Sequence, residues 1–300
     1  MTFRQRIAEE LSQQGMKFFR ETVWSSSLQR VDLPRVRKLL ATNGFEAVDV
    51  TLFSPMDDSA FRMRWATHYL ADGQCVSAMV QVPILKNSNH LKLTFGYPDK
   101  DTRESSRPKM IVVANALRLV FGVPVARELI QITLFGENEE PTTQSDEGFA
   151  SVFDTQEINL FNDPAIEDAA LIHLPEEAAF LLDKAFGQAY PGERFILMWL
   201  AFETIINAVI ANGRNGQKRE AYFRGELGSD IANAEVHRLF KLRCDLFKEG
   251  RLINSNSIED DCWALYAALQ LAVMKESELR RAFLSGFELK AKEREAARIA

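Results

Sequence analysis

Leu239-Phe240-Lys241-Leu242-Arg243-Cys244-Asp245-Leu246-Phe247-Lys248-Glu249-Gly250 decides how this chain is read. Its leucines and phenylalanines recur at the spacing of a helix that buries one face, and Gly250 is placed to stop that helix. Arg243 sits inside the apolar stripe. A guanidinium in such a place needs a counter-charge or an opening to solvent, because an unpaired buried charge is strongly unfavourable.

Working outward, the segment from Pro175 onward reads as helices only. Pro175 to Phe186 opens on proline and two glutamates and ends at Gly187, which suits a helix with its macrodipole satisfied. Pro191 to Ala211 is apolar nearly all round and reads as the central buried helix. Glu203 is its odd member, flanked by Leu200, Ala201, Phe202, Thr204, Ile205 and Ile206. The economical expectation is an ion pair between Glu203 and Arg243 that pins helix register. The alternative is an anion or RNA-phosphate site centred on Arg243, since guanidinium groups grip phosphate bidentately. Arg219 to Leu227 and Ser229 to Glu249 follow as helices, and Asn256 with Glu259 forms a capping box for a helix reaching about Lys275. A last, alanine-rich helix frays toward Ala300.

The other half alternates helix and strand signals. Ile7, Leu11, Phe18 and Phe19 recur at near-helical spacing, and Leu33-Pro34 with Val36, Leu39, Leu40 and then Gly44 predicts a second helix. Strand-like runs cover residues 47–53, 60–70, 74–85 and 90–95, with Asp72-Gly73 as a hairpin turn. Residues 110–121 and 125–134 read as two helices split by Gly122-Val123-Pro124. The expected fold is an α+β N-terminal domain, an antiparallel sheet with helices, over residues 1–135. An acidic connector over 136–170 and an all-α bundle over 171–300 complete it.

Charge follows that division. The chain of 300 residues carries a formal charge of −6, yet Leu134 to Ala170 holds ten acidic residues and no basic one. That segment, with Pro141, Gly148 and Pro164, reads as a solvated connector that would repel a nucleic-acid backbone. A hydrophobic content of 46% excludes disorder throughout. No run approaches the ~18 apolar residues needed to cross a bilayer, and the first ten residues lack an apolar core, so the expectation is a cytoplasmic protein without membrane contact. No phosphate-binding glycine loop, metal-ligand spacing or nucleophile elbow occurs, which predicts neither metal nor cofactor. Cys75, Cys244 and Cys262 read as buried thiols.

Leu239 to Gly250, together with Phe195 to Asn207, resembles the signature of Apea-like HEPN domains. These are helical bundles whose ribonuclease members carry an arginine followed, four to six residues on, by a histidine. Leu182 to Phe186 and Tyr190 to Phe195 add a narrower resemblance to the MauJ group of methylamine-utilization clusters, a label that implies no reaction. The resemblance implies a homodimer formed through the bundle, with an arginine and a histidine promoting attack of a ribose 2′-hydroxyl on the adjacent phosphate. Arg243 matches the motif arginine and Glu203 the acidic position, but positions five, six and seven after Arg243 are Lys248, Glu249 and Gly250. The step wants a group that takes and gives a proton near neutrality, as imidazole does and a lysine of ordinary pKa ~10.4 does not.

Two other features bear on partners. Asn212 to Arg219 concentrates Arg214, Lys218 and Arg219 between two helices, a candidate for RNA-phosphate contact without an aromatic to stack a base. His237 lies six residues before Arg243, on the wrong side for the motif, and reads as a surface or half-buried residue. The expected function is therefore a non-catalytic binding or regulatory protein with a degenerate HEPN bundle and an RNA or protein partner. The alternative is a metal-independent endoribonuclease of toxin or phage-defence type, using Arg243 with Lys248 or Glu249.

Overall fold

The structure, a computed structural model, describes residues 3–53, 61–69, 75–83, 89–145, 169–188, 190–249 and 255–299. The N-terminal part runs α1 (Phe3–Ser12), β1 (Phe18–Ser26), α2 (Leu33–Thr42), β2 (Val48–Phe53), β3 (Phe61–Tyr69), β4 (Cys75–Pro83) and β5 (Asn89–Tyr97). It continues through α3 (Lys100–Ser105), α4 (Arg107–Phe121), β6 (Glu128–Gly136) and β7 (Glu139–Ser145). Then come α5 (Glu176–Phe186), α6 (Pro191–Val209), α7 (Asn215–Glu220) with a π-helical turn (Ala221–Glu226), α8 (Asp230–Glu249), α9 (Ser255–Val273) and α10 (Glu278–Ile299). A five-stranded antiparallel sheet with helices is thus followed by an all-helical region, in agreement with the α+β and all-α periodicities.

The sheet has the order β2-β5-β1-β6-β7, and β3 pairs with β4 in a separate two-stranded sheet. The Asp72-Gly73 turn lies outside the described residues. Two expectations change. Helix α1 stops at Ser12 because Gly15 turns the backbone at φ +82° and donates its N–H to the Ser12 carbonyl at 2.9 Å. Phe18 and Phe19 therefore begin the central strand. The run read as a helix over 125–134 is strand β6, hydrogen-bonded to β1 on one side and β7 on the other. A short apolar run rich in Ile and Thr is ambiguous between helix and strand until its neighbours are known. Part of the acidic stretch, Glu139–Ser145, forms β7, while 146–168 lies outside the described residues. Ile7 and Leu11 of α1 cover Phe19 and Phe135, whose rings stack at 5.0 Å.

Contacts divide the chain into two compact units: Met1–Leu40, Phe45–Arg107 and Pro124–Ala150 in one, and Ala41–Gly44, Pro108–Val123 and Ser151–Ala300 in the other. Helix α4 falls within the stretch expected to belong to the N-terminal domain, yet from Pro108 on it joins the helical unit. Its bonds explain this. Asn115 donates to the Ala179 carbonyl at 2.9 Å, Arg118 pairs with Asp183 at 2.6 Å, Gln270 donates to the Leu119 carbonyl at 2.8 Å, and the Tyr266 hydroxyl donates to the Arg118 carbonyl.

The core of the helical unit is α6. Phe195, Met198, Trp199, Phe202, Ile205 and Ile206 are buried, and each large side chain contributes roughly 1.5–3 kcal/mol by leaving water. Phe223 and Tyr222, on the π-helical turn, are buried as well, with Phe202 and Phe223 rings 6.0 Å apart and the Tyr222 hydroxyl donating to the Leu271 carbonyl at 2.7 Å. Ser229 caps α8 by accepting from the Ala232 N–H at 3.0 Å. Helix α9 starts at Ser255, so Asn256 lies within its first turn and not at the cap. Among the described residues, no helix is long and apolar enough to cross a membrane.

Candidate functional site

Helices α6, α7 and α8 enclose a cavity of about 490 Å³. Helix α8 supplies one wall through Asn233, Val236, His237, Phe240 and Arg243, a spacing of three and four residues that puts all five along one face. Glu203 projects from α6. Arg214, Asn215, Gly216, Arg219 and Glu220 come from the start and body of α7. The connection into α7 turns at Gly213, φ +109°, and the Arg214 N–H is fixed by the Gln217 side-chain oxygen at 3.0 Å.

Glu203 does make a buried ion pair, but Arg219 is the partner: Nη1 donates to Oε1 at 2.6 Å. The pair expected between Glu203 and Arg243 is not among the contacts. Arg219 is only 7% exposed and its guanidinium lies 4.4 Å from the Phe240 ring centroid and 5.4 Å from that of Trp199. Burial lowers its pKa, and Glu203 opposes that shift. The cation assigned to an RNA-contacting loop is therefore an interior strut, held by a carboxylate and two aromatic faces.

Arg243 is half-buried and open to the cavity. Its guanidinium sits 4.6 Å from the centroid of Phe247, a ring 51% exposed, and its Nε is buried without a hydrogen-bond partner among the described residues. No ion pair to Arg243 occurs among the described residues. Arg214, exposed at the rim, lines the same space with no ion pair among the described residues, whereas Lys218 is half-buried and does not line it. Glu220 is engaged by Arg224. Lys248 and Glu249 close α8, with side chains outside the description.

His237 is the residue that spacing to the motif arginine discounts. It is exposed and lines the cavity with Arg243, its ring 6.3 Å from that of Phe240. The stripe Asn233, Val236, His237, Phe240, Arg243 on one helical face was the available signal, whereas the Arg219–Glu203 contact joins two helices and had none. Cys262 is buried and its thiol is pushed up to about 12 by desolvation, so it stays protonated. Cys244 is half-buried, contrary to the expectation of a core thiol. Among the described residues, no cluster of three or more His, Cys, Asp or Glu is arranged to hold a metal ion.

Chemically, among the described residues the cavity offers two guanidinium groups without an ion pair, two side-chain amides and one imidazole, next to the Arg219–Glu203 pair and the Glu220 carboxylate that Arg224 holds. That set suits an anion carrying several acceptor oxygens. Compared with protein-family models, with curated proteins and with solved structures, the chain matches none.

Proposed function

We propose that the helical unit is a non-catalytic, HEPN-like binding module that holds a phosphate of single-stranded RNA through Arg243, within a cytosolic regulatory protein. One observation carries this reading: Arg243 lines the cavity with no ion pair among the described residues, while Glu203 pairs with Arg219. Arg214 at the rim supplies a second phosphate contact, and the amides of Asn215 and Asn233 supply neutral donors. The positions that follow the arginine at HEPN spacing hold Lys248, Glu249 and Gly250, none of them an imidazole able to take and give a proton near neutrality. Self-association through the helical unit belongs to the proposal; Phe180, Leu200, Phe247 and Leu289 expose apolar surface there.

The test is fluorescence anisotropy of the full chain with labelled single-stranded RNA over a salt series. Arg243→Ala is expected to weaken binding by about 10-fold and to flatten the slope of log affinity against log salt by about 0.7, the loss of one phosphate contact. Equal binding by the variant refutes the assignment.

A second reading, metal-independent RNA cleavage, is favoured by the presence of His237 in the same cavity. The RNA recovered from the binding assay, run with chelator, distinguishes the two. Intact RNA supports the binding module. Cleavage lost in both His237→Ala and Arg243→Ala replaces it with a ribonuclease.

A further inference from the structure

Guanidinium contacts to phosphate leave the bases of a single strand unread, and a base is most simply held by stacking on an aromatic ring. Three rings stand near the arginines of the cavity. Trp199 is fully buried. Phe240, half-buried, is packed against the Arg219 guanidinium at 4.4 Å and the rings of Trp199 and His237 at 6.0 and 6.3 Å. Both belong to the interior that encloses Arg219.

Phe247 is different. It lies one turn of α8 beyond Arg243 and continues the three- and four-residue spacing of Asn233, Val236, His237, Phe240 and Arg243. The Arg243 guanidinium stands over its ring, 4.6 Å from the centroid, and yet 51% of the residue is exposed. A cation over a ring occupies one face, so exposure of that size falls on the opposite face and the edge. Phe180 and Tyr190 are exposed too, but among the described residues neither has a guanidinium over its ring. Phe247 alone of the three joins an open aromatic face to a cation that lines the cavity and has no ion pair among the described residues.

Resting on the RNA reading of the cavity, we propose that Phe247 is its base-stacking platform: a nucleotide whose phosphate is held by Arg243 lays its base on the open face of the Phe247 ring, just outside the cavity. The ring is then covered by a guanidinium on one side and a base on the other. Every base has a π-face, so this contact selects unpaired bases with little preference among the four. In a duplex the bases are stacked on one another, and only phosphate and sugar remain for the site to hold. The loop Asn212 to Arg219 has no aromatic residue, and α8 supplies the one it lacks.

The experiment is fluorescence anisotropy of the full chain over a salt series, with a labelled single-stranded RNA and with the same strand annealed to its complement. Phe247→Leu keeps an apolar side chain at an exposed position, and Phe247→Trp keeps a ring. Phe247→Leu is expected to weaken single-strand binding by about 5-fold or more with the wild-type slope of log affinity against log salt, because a stacking contact is lost and no phosphate contact is. Phe247→Trp is expected to bind at least as tightly as the wild type, the duplex more weakly than the single strand, and Phe247→Leu to elute from a sizing column as the wild type does. Equal binding by Phe247→Leu with Arg243→Ala weakened overturns the stacking assignment alone. A flattened salt slope in Phe247→Leu overturns it as well, since the ring then serves only to place Arg243, and so does loss of binding in Phe247→Trp, a duplex bound as tightly as the single strand, or a changed oligomeric state. Equal binding by Arg243→Ala, or no binding of single-stranded RNA by the wild type, overturns this proposal together with the reading beneath it.

Discussion

Removing Glu203 tests the assignment of the buried ion pair most directly. The two side chains are 16% and 8% exposed, they meet at 2.6 Å, and the guanidinium is also enclosed by Trp199 and Phe240. Glu203→Ala leaves Arg219 charged and almost wholly buried, reached only from the cavity, and breaking one side of such a pair costs up to about 3–5 kcal/mol. Arg219→Ala strands the carboxylate instead and also empties the space between two rings, so its cost is at least as large. For a helical unit of this size that is a fall in melting temperature on the order of 10 °C. Arg243→Ala removes a half-buried cation with no ion pair among the described residues, and its expected cost is under ~1 kcal/mol. The assay is urea denaturation followed by circular dichroism, with the double variant Glu203→Gln, Arg219→Met included. If the charges act as a pair, the double variant loses less than the two single changes added together. A destabilisation by Arg243→Ala as large as that by Glu203→Ala would refute the reasoning, since it would return the role of structural pin to Arg243.

Other outcomes follow from buried titratable and polar groups. Burial pushes the Tyr222 phenol and the Cys262 thiol up to about 12, from 10.0 and 9.0, so the unfolded chain ionises first; their stabilising contribution is intact below about pH 9 and is lost as pH rises toward 12, seen as a falling urea midpoint that Tyr222→Phe makes less steep. For Glu235, burial alone would raise the pKa, but the hydrogen bonds from Arg238 at 2.7 Å and Arg294 at 2.9 Å overcome it and lower it below 4.5. Its contribution is therefore present above that value and lost as pH falls through the lowered one, and Glu235→Gln should flatten the acid limb of the stability curve. Asn115 is fully buried, donates to the carbonyls of Ile111 and Ala179 and accepts from Arg118, so Asn115→Ala is expected to cost about 1–3 kcal/mol by chemical denaturation, with no change in RNA binding.

The fold class was legible because long periodic runs declare themselves. Pro191–Val209 and Asp230–Glu249 begin within a residue of where their apolar spacing and terminal signals put them. Residues 18–26 and 128–136 were not legible as strands. Along 18–26 polar and apolar side chains alike are buried, which leaves no alternation to read, and the nine residues of 128–136 carry too few periods to separate a helix from a strand. At the site, Arg243 and Glu203 were both singled out from sequence, and both do line the cavity. Their mutual pairing was inferred from charge alone, which says that a partner is needed and not which one.

Sequence by itself determined the fold class, the central apolar helix, the need of Glu203 for a counter-charge and the absence of histidine at the HEPN spacing after Arg243. Tertiary structure decided which arginine meets that need, and so which one lines the cavity beside His237 with no ion pair among the described residues. The reason is that ion pairing between buried groups depends on approach distance and on shared desolvation, and both are set by how α6, α7 and α8 cross rather than by separation along the chain.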